Sequence, residues 1–111
     1  MGKDLRQMNW ATTPAADADL IQGREWIEAD NPDAAQEFLR EARLCFDRLA
    51  QFPEMGASTK IKGRTFAGIR FIVLSPPFNR WIVFYRIRKH VEIIRVIYGI
   101  QNWRQEPGRF F

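Results

Sequence analysis

Side chains able to do chemistry are few in this chain of 111 residues. Its single histidine, His90, falls in a charged turn between two apolar runs. An imidazole has a suitable intrinsic pKa for a general base, but a solvated turn residue is the simpler reading. The single cysteine, Cys45, lies on the apolar face of a helical pattern with no base beside it, which fits a buried, inert thiol rather than a nucleophile. Alone it can form neither an internal disulfide nor a zinc set. Gly-rich phosphate loops, Ser-His-Asp spacing and metal-ligand clusters are all missing, so no metal, cofactor or small-molecule substrate is expected. What remains is a set of arginines on predicted strands, Arg70, Arg86 and Arg95. With Tyr98 or His90 as proton donor or acceptor, they are the parts a phosphodiester cleavage by 2′-OH attack would need. The same guanidinium groups equally suit acidic side chains of a partner, or Glu92, and the residue types favour such pairing.

The segment that would position these groups is RWIVFYRIRKHVEIIRVIYG, Arg80 to Gly99. Its β-branched and aromatic residues predict two strands, Trp81 to Ile87 and Val91 to Tyr98, joined at Arg88, Lys89 and His90. Placing Arg86 opposite Glu92 sets Ile82, Phe84 and Arg86 against Val96, Ile94 and Glu92 on one face. The other face then pairs Trp81, Val83 and Tyr85 with Ile97, Arg95 and Ile93. A cross-strand ion pair contributes only ~0.2–1 kcal/mol, so a one-residue shift stays open. Both strands are apolar on both faces, which makes them central in the sheet. Helices are expected on one face; the other, rich in guanidinium groups and rings, is expected to be occupied by a partner.

Upstream, Leu5 to Thr12 alternates as a short edge strand. Thr13-Pro14 and Asn31-Pro32-Asp33 each combine an N-cap with a proline at the first helical position. They predict two helices in a tight hairpin, the first ending near Asp30 and the second stopped by Pro53. Ala16, Leu20, Gly23 and Ile27 share one face of the first helix, with Trp26 near its border. Ala35, Phe38, Leu39, Ala42, Cys45, Phe46 and Leu49 form the apolar stripe of the second. A basic loop through Lys60, Lys62 and Gly63 reads as an exposed connector or a contact loop. Arg64 to Leu74 holds another strand, clearest from Ile69, and Ser75-Pro76-Pro77 ends it. Phe110 and Phe111 follow a Pro-Gly break, either folded back on the body or offered to a neighbour.

The expected fold is therefore α+β: an N-terminal strand and an αα-hairpin on one face of a four-stranded, mainly antiparallel sheet. One domain spans residues 1–111, with 1–4 and 105–111 as loose termini. A 46% hydrophobic and 14% aromatic content excludes a disordered chain. The formal charge of +4 comes mostly from arginine, since Lys3, Lys60, Lys62 and Lys89 are the only lysines. That points to an acidic partner, protein or nucleic acid. The beginning of the chain lacks an apolar signal core, and no apolar run is long enough to span a bilayer, so a cytoplasmic protein without membrane contact is expected.

Five strings carry a resemblance. They are Ala18-Asp19-Leu20, Asp30-Asn31-Pro32-Asp33-Ala34, Phe52-Pro53-Glu54-Met55-Gly56, Ile82-Val83-Phe84-Tyr85-Arg86, and Val91-Glu92-Ile93-Ile94-Arg95-Val96 closing on Gly99. In this order, from about Trp10 to Gly99, the chain resembles the RelE/ParE toxin superfamily and is most similar to ParE. The resemblance implies a plasmid-stabilisation type of toxin made with a ParD-type antitoxin, inhibiting DNA gyrase and meeting DNA only through the antitoxin. RelE-like relatives instead cut messenger RNA on the ribosome, and an inactive antitoxin-binding module is a third alternative. Those ribonucleases usually carry an arginine at the position matching Ile82, where an apolar side chain cannot stabilise a developing phosphorane charge; Arg80, two residues earlier, is a substitute on the same face. Many members have histidine where this chain has Tyr98. On the toxin reading, Arg70, Arg95, Tyr98, Trp103 and Arg104 are expected to meet the target. Trp10, Trp81, Tyr85 and Arg86 are expected to meet the antitoxin. On the ribonuclease reading, Arg70, Arg86, His90 and Tyr98 would be catalytic.

Overall fold

In the computed structural model, residues 8–99 and 102–111 are described. Strand β1 (Trp10–Thr12) leads into helices α1 (Pro14–Glu28) and α2 (Pro32–Gln51). Strands β2 (Ala57–Ser58), β3 (Arg70–Val73), β4 (Trp81–Ile87) and β5 (Val91–Tyr98) follow, with 3₁₀ turns at Arg64–Phe66 and Pro107–Arg109. The sheet runs β1-β5-β4-β3-β2, parallel only between β1 and β5. It has five strands rather than four, because Ala57–Ser58, expected as loop, pairs with Phe71 and Arg70. Residues 64–69 are not strand, as expected above, but a 3₁₀ turn and its exit. Of the expected first strand, residues 5–7 lie outside the described residues.

Both helices begin as their caps dictate. Thr13 Oγ1 accepts from the Ala16 N–H at 3.1 Å, and Asn31 Oδ1 from the Ala34 N–H at 3.1 Å. Thr13 also ties α1 to the sheet, its N–H donating to the Ile93 carbonyl and its hydroxyl to the Ile94 carbonyl. The α2 stripe is buried from Ala35 to Ala50 except for Leu39, which is exposed beside the β1 edge. Between helices and sheet lies the main core: Phe38, Phe46 and Leu49 against Trp81, Val83, Tyr85, Val91, Ile93 and Val96.

The β4–β5 register holds near the turn, with Arg86 opposite Glu92 and Tyr85 opposite Ile93. Beyond that a bulge at Ile94 shifts it, so that Phe84 meets Arg95 and Val83 meets Val96. Burial explains the shift. Unbulged, Arg95 would oppose Val83, which is 0% exposed in the helix-facing core, and its guanidinium would be stranded away from water. With the extra residue, Ile94 stays in the opposite cluster while Val96 replaces Arg95 on the helix side, opposite Val83.

The second face is not open to a partner, as expected above, but filled by the chain itself. Ile69, Phe84, Ile94 and Trp103 are buried there, with Ile61, Phe66, Phe110 and Phe111 packed around them. The Phe111 ring stands edge-on to Phe84 at 4.8 Å between centroids. The expected loose end at 105–111 is thus folded back, because the apolar second face of central strands must be covered and these rings are within reach.

The Phe52-Pro53-Glu54-Met55-Gly56 string earns its sequence by close approach. The Tyr85 hydroxyl donates to the Pro53 carbonyl at 2.6 Å and accepts from the Gly56 N–H at 3.0 Å. A β-carbon on Gly56 would lie 2.6 Å from that hydroxyl and 2.8 Å from the Phe71 carbonyl. Gly56→Ala is expected to lower unfolding free energy by ~2 kcal/mol or more in urea titrations, as overpacking against backbone does. Tyr85→Phe, which removes only the hydroxyl, should cost about 1–3 kcal/mol by leaving the Gly56 N–H unpaired.

Candidate functional site

The three strand arginines are committed to their own chain. Arg70 Nη1 donates to the Gly56 carbonyl at 2.7 Å and the Glu54 carbonyl at 3.3 Å. Arg86 donates to the Thr65 carbonyl at 3.1 Å and lies 3.4 Å from Glu92 Oε1. Arg95 forms a forked pair with Asp19, Nε to Oδ2 at 2.7 Å and Nη2 to Oδ1 at 2.9 Å, and Nη1 donates to the Phe110 carbonyl at 2.6 Å. The hydrogen bonds it donates to Asp19 raise the Arg95 pKa beyond its already high value, with burial opposing. Asp19 Oδ2 also accepts from the Val96 N–H at 2.9 Å.

The expected catalytic group is not gathered. Arg70 stands opposite Tyr85 on the helix side, whereas Arg86 shares the second face with Phe84 and Ile82. His90 precedes β5 and Tyr98 ends it, about 26 Å apart along an eight-residue strand. Cys45 is buried and its thiol is pushed up to about 11, first by burial, with Arg48 opposing. Tyr85, expected at the antitoxin contact, is fully enclosed; burial raises its hydroxyl pKa, with the Gly56 N–H and Arg70 opposing. Among the described residues, no three His, Cys, Asp or Glu side chains are grouped as a metal would require.

The remaining expected contacts fall in three places. Trp10 is half-buried against Phe46 and donates through Nε1 to Asp47 at 2.9 Å. Trp103 is buried on the second face with the Arg104 guanidinium 4.2 Å over its ring. Trp81 and Tyr98 are brought together as a cross-strand pair, rings 5.2 Å apart, at the far end of the hairpin.

That last pair belongs to an exposed aromatic site. Chain direction creates it: β1 turns into α1 after Thr12, so pairing on the outer edge of β5 ends at Ile93. Asp19 caps the Val96 N–H, and beyond it no strand among the described residues covers the edge. Trp26, 61% exposed, leans over this edge, 5.2 Å from Tyr98 and 6.4 Å from Trp81. Tyr98 itself is 41% exposed. A cleft of about 330 Å³ opens between them, floored by Gly23, Val96 and Ile97. Gly23 is needed there, because a β-carbon would meet the Trp81 ring at 2.8 Å and Phe38 at 3.1 Å. Trp26 was placed only at a helix border by periodicity; its role comes from the strand edge opposite, which helical spacing does not report. The arrangement offers rings and an incomplete strand edge, suited to docking a polypeptide.

Two outcomes follow. Asp19→Ala leaves the Arg95 guanidinium and the Val96 N–H without their partner, and is expected to lower unfolding free energy by ~3 kcal/mol, measured in urea. Cys45 should react with a thiol reagent at pH 8 at least about tenfold more slowly in the folded protein than in denaturant. Because the folded thiol holds its proton to about 11 against the usual 9.0, the unfolded chain ionises first, and stability should fall as pH rises across that interval.

With this geometry in place, comparison with known proteins is informative. Residues 11–103 match the family described as ParE toxin of type II toxin-antitoxin system, parDE. The chain is 36% identical over 80 residues to "Putative toxin Y4kP" of Sinorhizobium fredii (strain NBRC 101917 / NGR234), covering 72% of this chain and 76% of that one. The solved "Chromosomal ParDE TA system from P. aeruginosa" has a chain of the same fold, with a TM-score of 0.67 at 20% identity, over 86% of this chain and 99% of that one. A family match across both helices, the hairpin and Trp103 is decisive: the chain belongs to the ParE toxin family of type II toxin-antitoxin systems.

Proposed function

We propose that this toxin acts by binding rather than by catalysis, that its target is DNA gyrase, and that a ParD-type antitoxin neutralises it in the cytoplasm. The observation that carries the reading is the Trp26–Trp81–Tyr98 edge. It is a partly exposed aromatic site at a sheet edge that no described strand covers, while Arg70, Arg86 and Arg95 are tied to carbonyls and carboxylates. Rings that stand partly in water at an open sheet edge are what a partner can bury for most gain.

On this reading the antitoxin adds a strand along β5 beyond Val96 and covers Trp26 and Tyr98, and the target needs the same rings. Occupancy by one excludes the other. Trp10, beside the cleft lined by Leu20, Leu39 and Phe46, is a second antitoxin anchor. Arg70, Arg95, Tyr85 and Arg86 hold these surfaces in shape and do not themselves meet a partner.

Purified protein is expected to trap gyrase on cleaved DNA, and the Trp26→Ala, Tyr98→Ala double variant to lose at least about tenfold in that activity with its circular dichroism and melting unchanged. Ribosome-dependent cleavage of messenger RNA with no gyrase effect would replace this reading by the ribonuclease one. Absence of both activities, with antitoxin binding kept, would mark an inactive binding module.

A further inference from the structure

The charges of this molecule are sorted by layer. Residues 14–51, the helical layer, hold nine carboxylates against four arginines, whereas residues 57–111 hold eleven bases against two carboxylates, Glu92 and Glu106. Much of that positive charge rides on the cover of the second face. Ile61 and Phe66 anchor the loop in the second cluster while Lys60, Lys62 and Arg64 around them are exposed. Arg86 bonds to the Thr65 carbonyl and so ties this loop to the hairpin end that carries exposed Arg88 and Lys89. Arg104 lies over buried Trp103 on the same face. Among the described residues none of these six cations has a carboxylate at ion-pair distance; Glu92 is taken by Arg86 and Glu106 by Arg109.

We infer that this face binds the phosphate backbone of duplex DNA without reading its sequence. Three features select that partner. A protein partner would want apolar anchors, but the exposed large apolar side chains lie on the helices, on the turn after α2 and at the far ends of the strands, at Tyr98 and Val73, away from these cations. Single-stranded nucleic acid would want freely exposed rings for its bases, but here Trp103 and Phe84 are buried and Phe66, Phe71, Phe110 and Phe111 are partly buried against that cluster. Among the described residues no α-helix lies on this face to enter a groove, only short 3₁₀ turns, which leaves backbone contact and its electrostatics. The inference does not depend on gyrase being the target, since it concerns another face than the aromatic edge.

The test is fluorescence anisotropy of a labelled, arbitrary-sequence duplex of about 20 base pairs against the full chain, from 50 to 300 mM salt. Expected is binding whose log K falls with log salt at a slope of roughly −3 to −5, as for about four to six phosphates. The Lys60→Ala, Lys62→Ala, Arg64→Ala triple variant should bind at least about tenfold more weakly with a shallower slope, and Arg24→Ala, Arg43→Ala, Arg48→Ala on the helical layer should stay within about twofold. All six side chains are at least partly in water, so melting curves will show both variants folded. Equal sensitivity to the two triples overturns the assignment to this face. Tighter binding of single-stranded RNA, or equal competition by polyglutamate at matched charge, overturns the choice of duplex DNA.

Discussion

The structure turns on how guanidinium groups inside a mostly apolar sheet find acceptors. A strand arginine that is only partly in water gains from a fixed acceptor, and each of the three here bonds to a different irregular part of the chain. Arg70 fastens the turn after α2 through Glu54 and Gly56. Arg86 fastens the basic loop through Thr65. Arg95 does most, since its pair with Asp19 joins sheet to helix while the Phe110 carbonyl joins the C-terminal cover to both. Asp19 is the acceptor on which this depends, because the same carboxylate closes the β5 edge at the Val96 N–H. One carboxylate thus neutralises a charge, caps an edge and orients a helix, and the open edge beyond it begins where its reach ends.

Much of this fold could be read from residue types. Thr13-Pro14 and Asn31-Pro32 state the helix starts, the α2 stripe states its buried face, and the β-branched runs state the hairpin with Arg86 opposite Glu92. The bulge at Ile94 could not be read, because it answers a question about burial of Arg95 against Val83 that arises only once both layers are present. Nor, Arg86 opposite Glu92 apart, could the fate of the arginines. Their acceptors are mostly backbone carbonyls, which every residue carries, so sequence offers no mark of who accepts. The C-terminal rings pose the same problem: Phe110 and Phe111 fit either a neighbour or their own sheet until the second face is seen to need them.

The candidate site was half legible for a related reason. Trp81 and Tyr98 stand out as aromatic strand residues, and their register makes them a pair. Trp26 is the residue that completes the site, yet on its helix it sits off the buried stripe and reads as an ordinary exposed side chain. What makes it functional in form is the topology: β1 is only three residues long, α1 crosses where a longer strand would have continued, and a tryptophan on that helix hangs over the uncovered edge. Short edge strands ordinarily limit unwanted pairing. On the proposed reading, the shortness leaves room for a partner's strand.

Binding and phosphodiester cleavage make different demands on this sheet. Ile82, at the position where ribonuclease relatives are expected to carry arginine, packs against the second cluster under the chain's own cover. A transition-state charge developing there would meet methyl groups and rings rather than donors. Uncovering the face would not remedy this, because Arg95, across the ladder beside Phe84, is bonded to Asp19 and Phe110, and Arg86 to Thr65 and Glu92, so withdrawing either would release a segment it holds. Arg70, Arg86 and Arg95 thus keep irregular segments in place, which supports the binding reading proposed above.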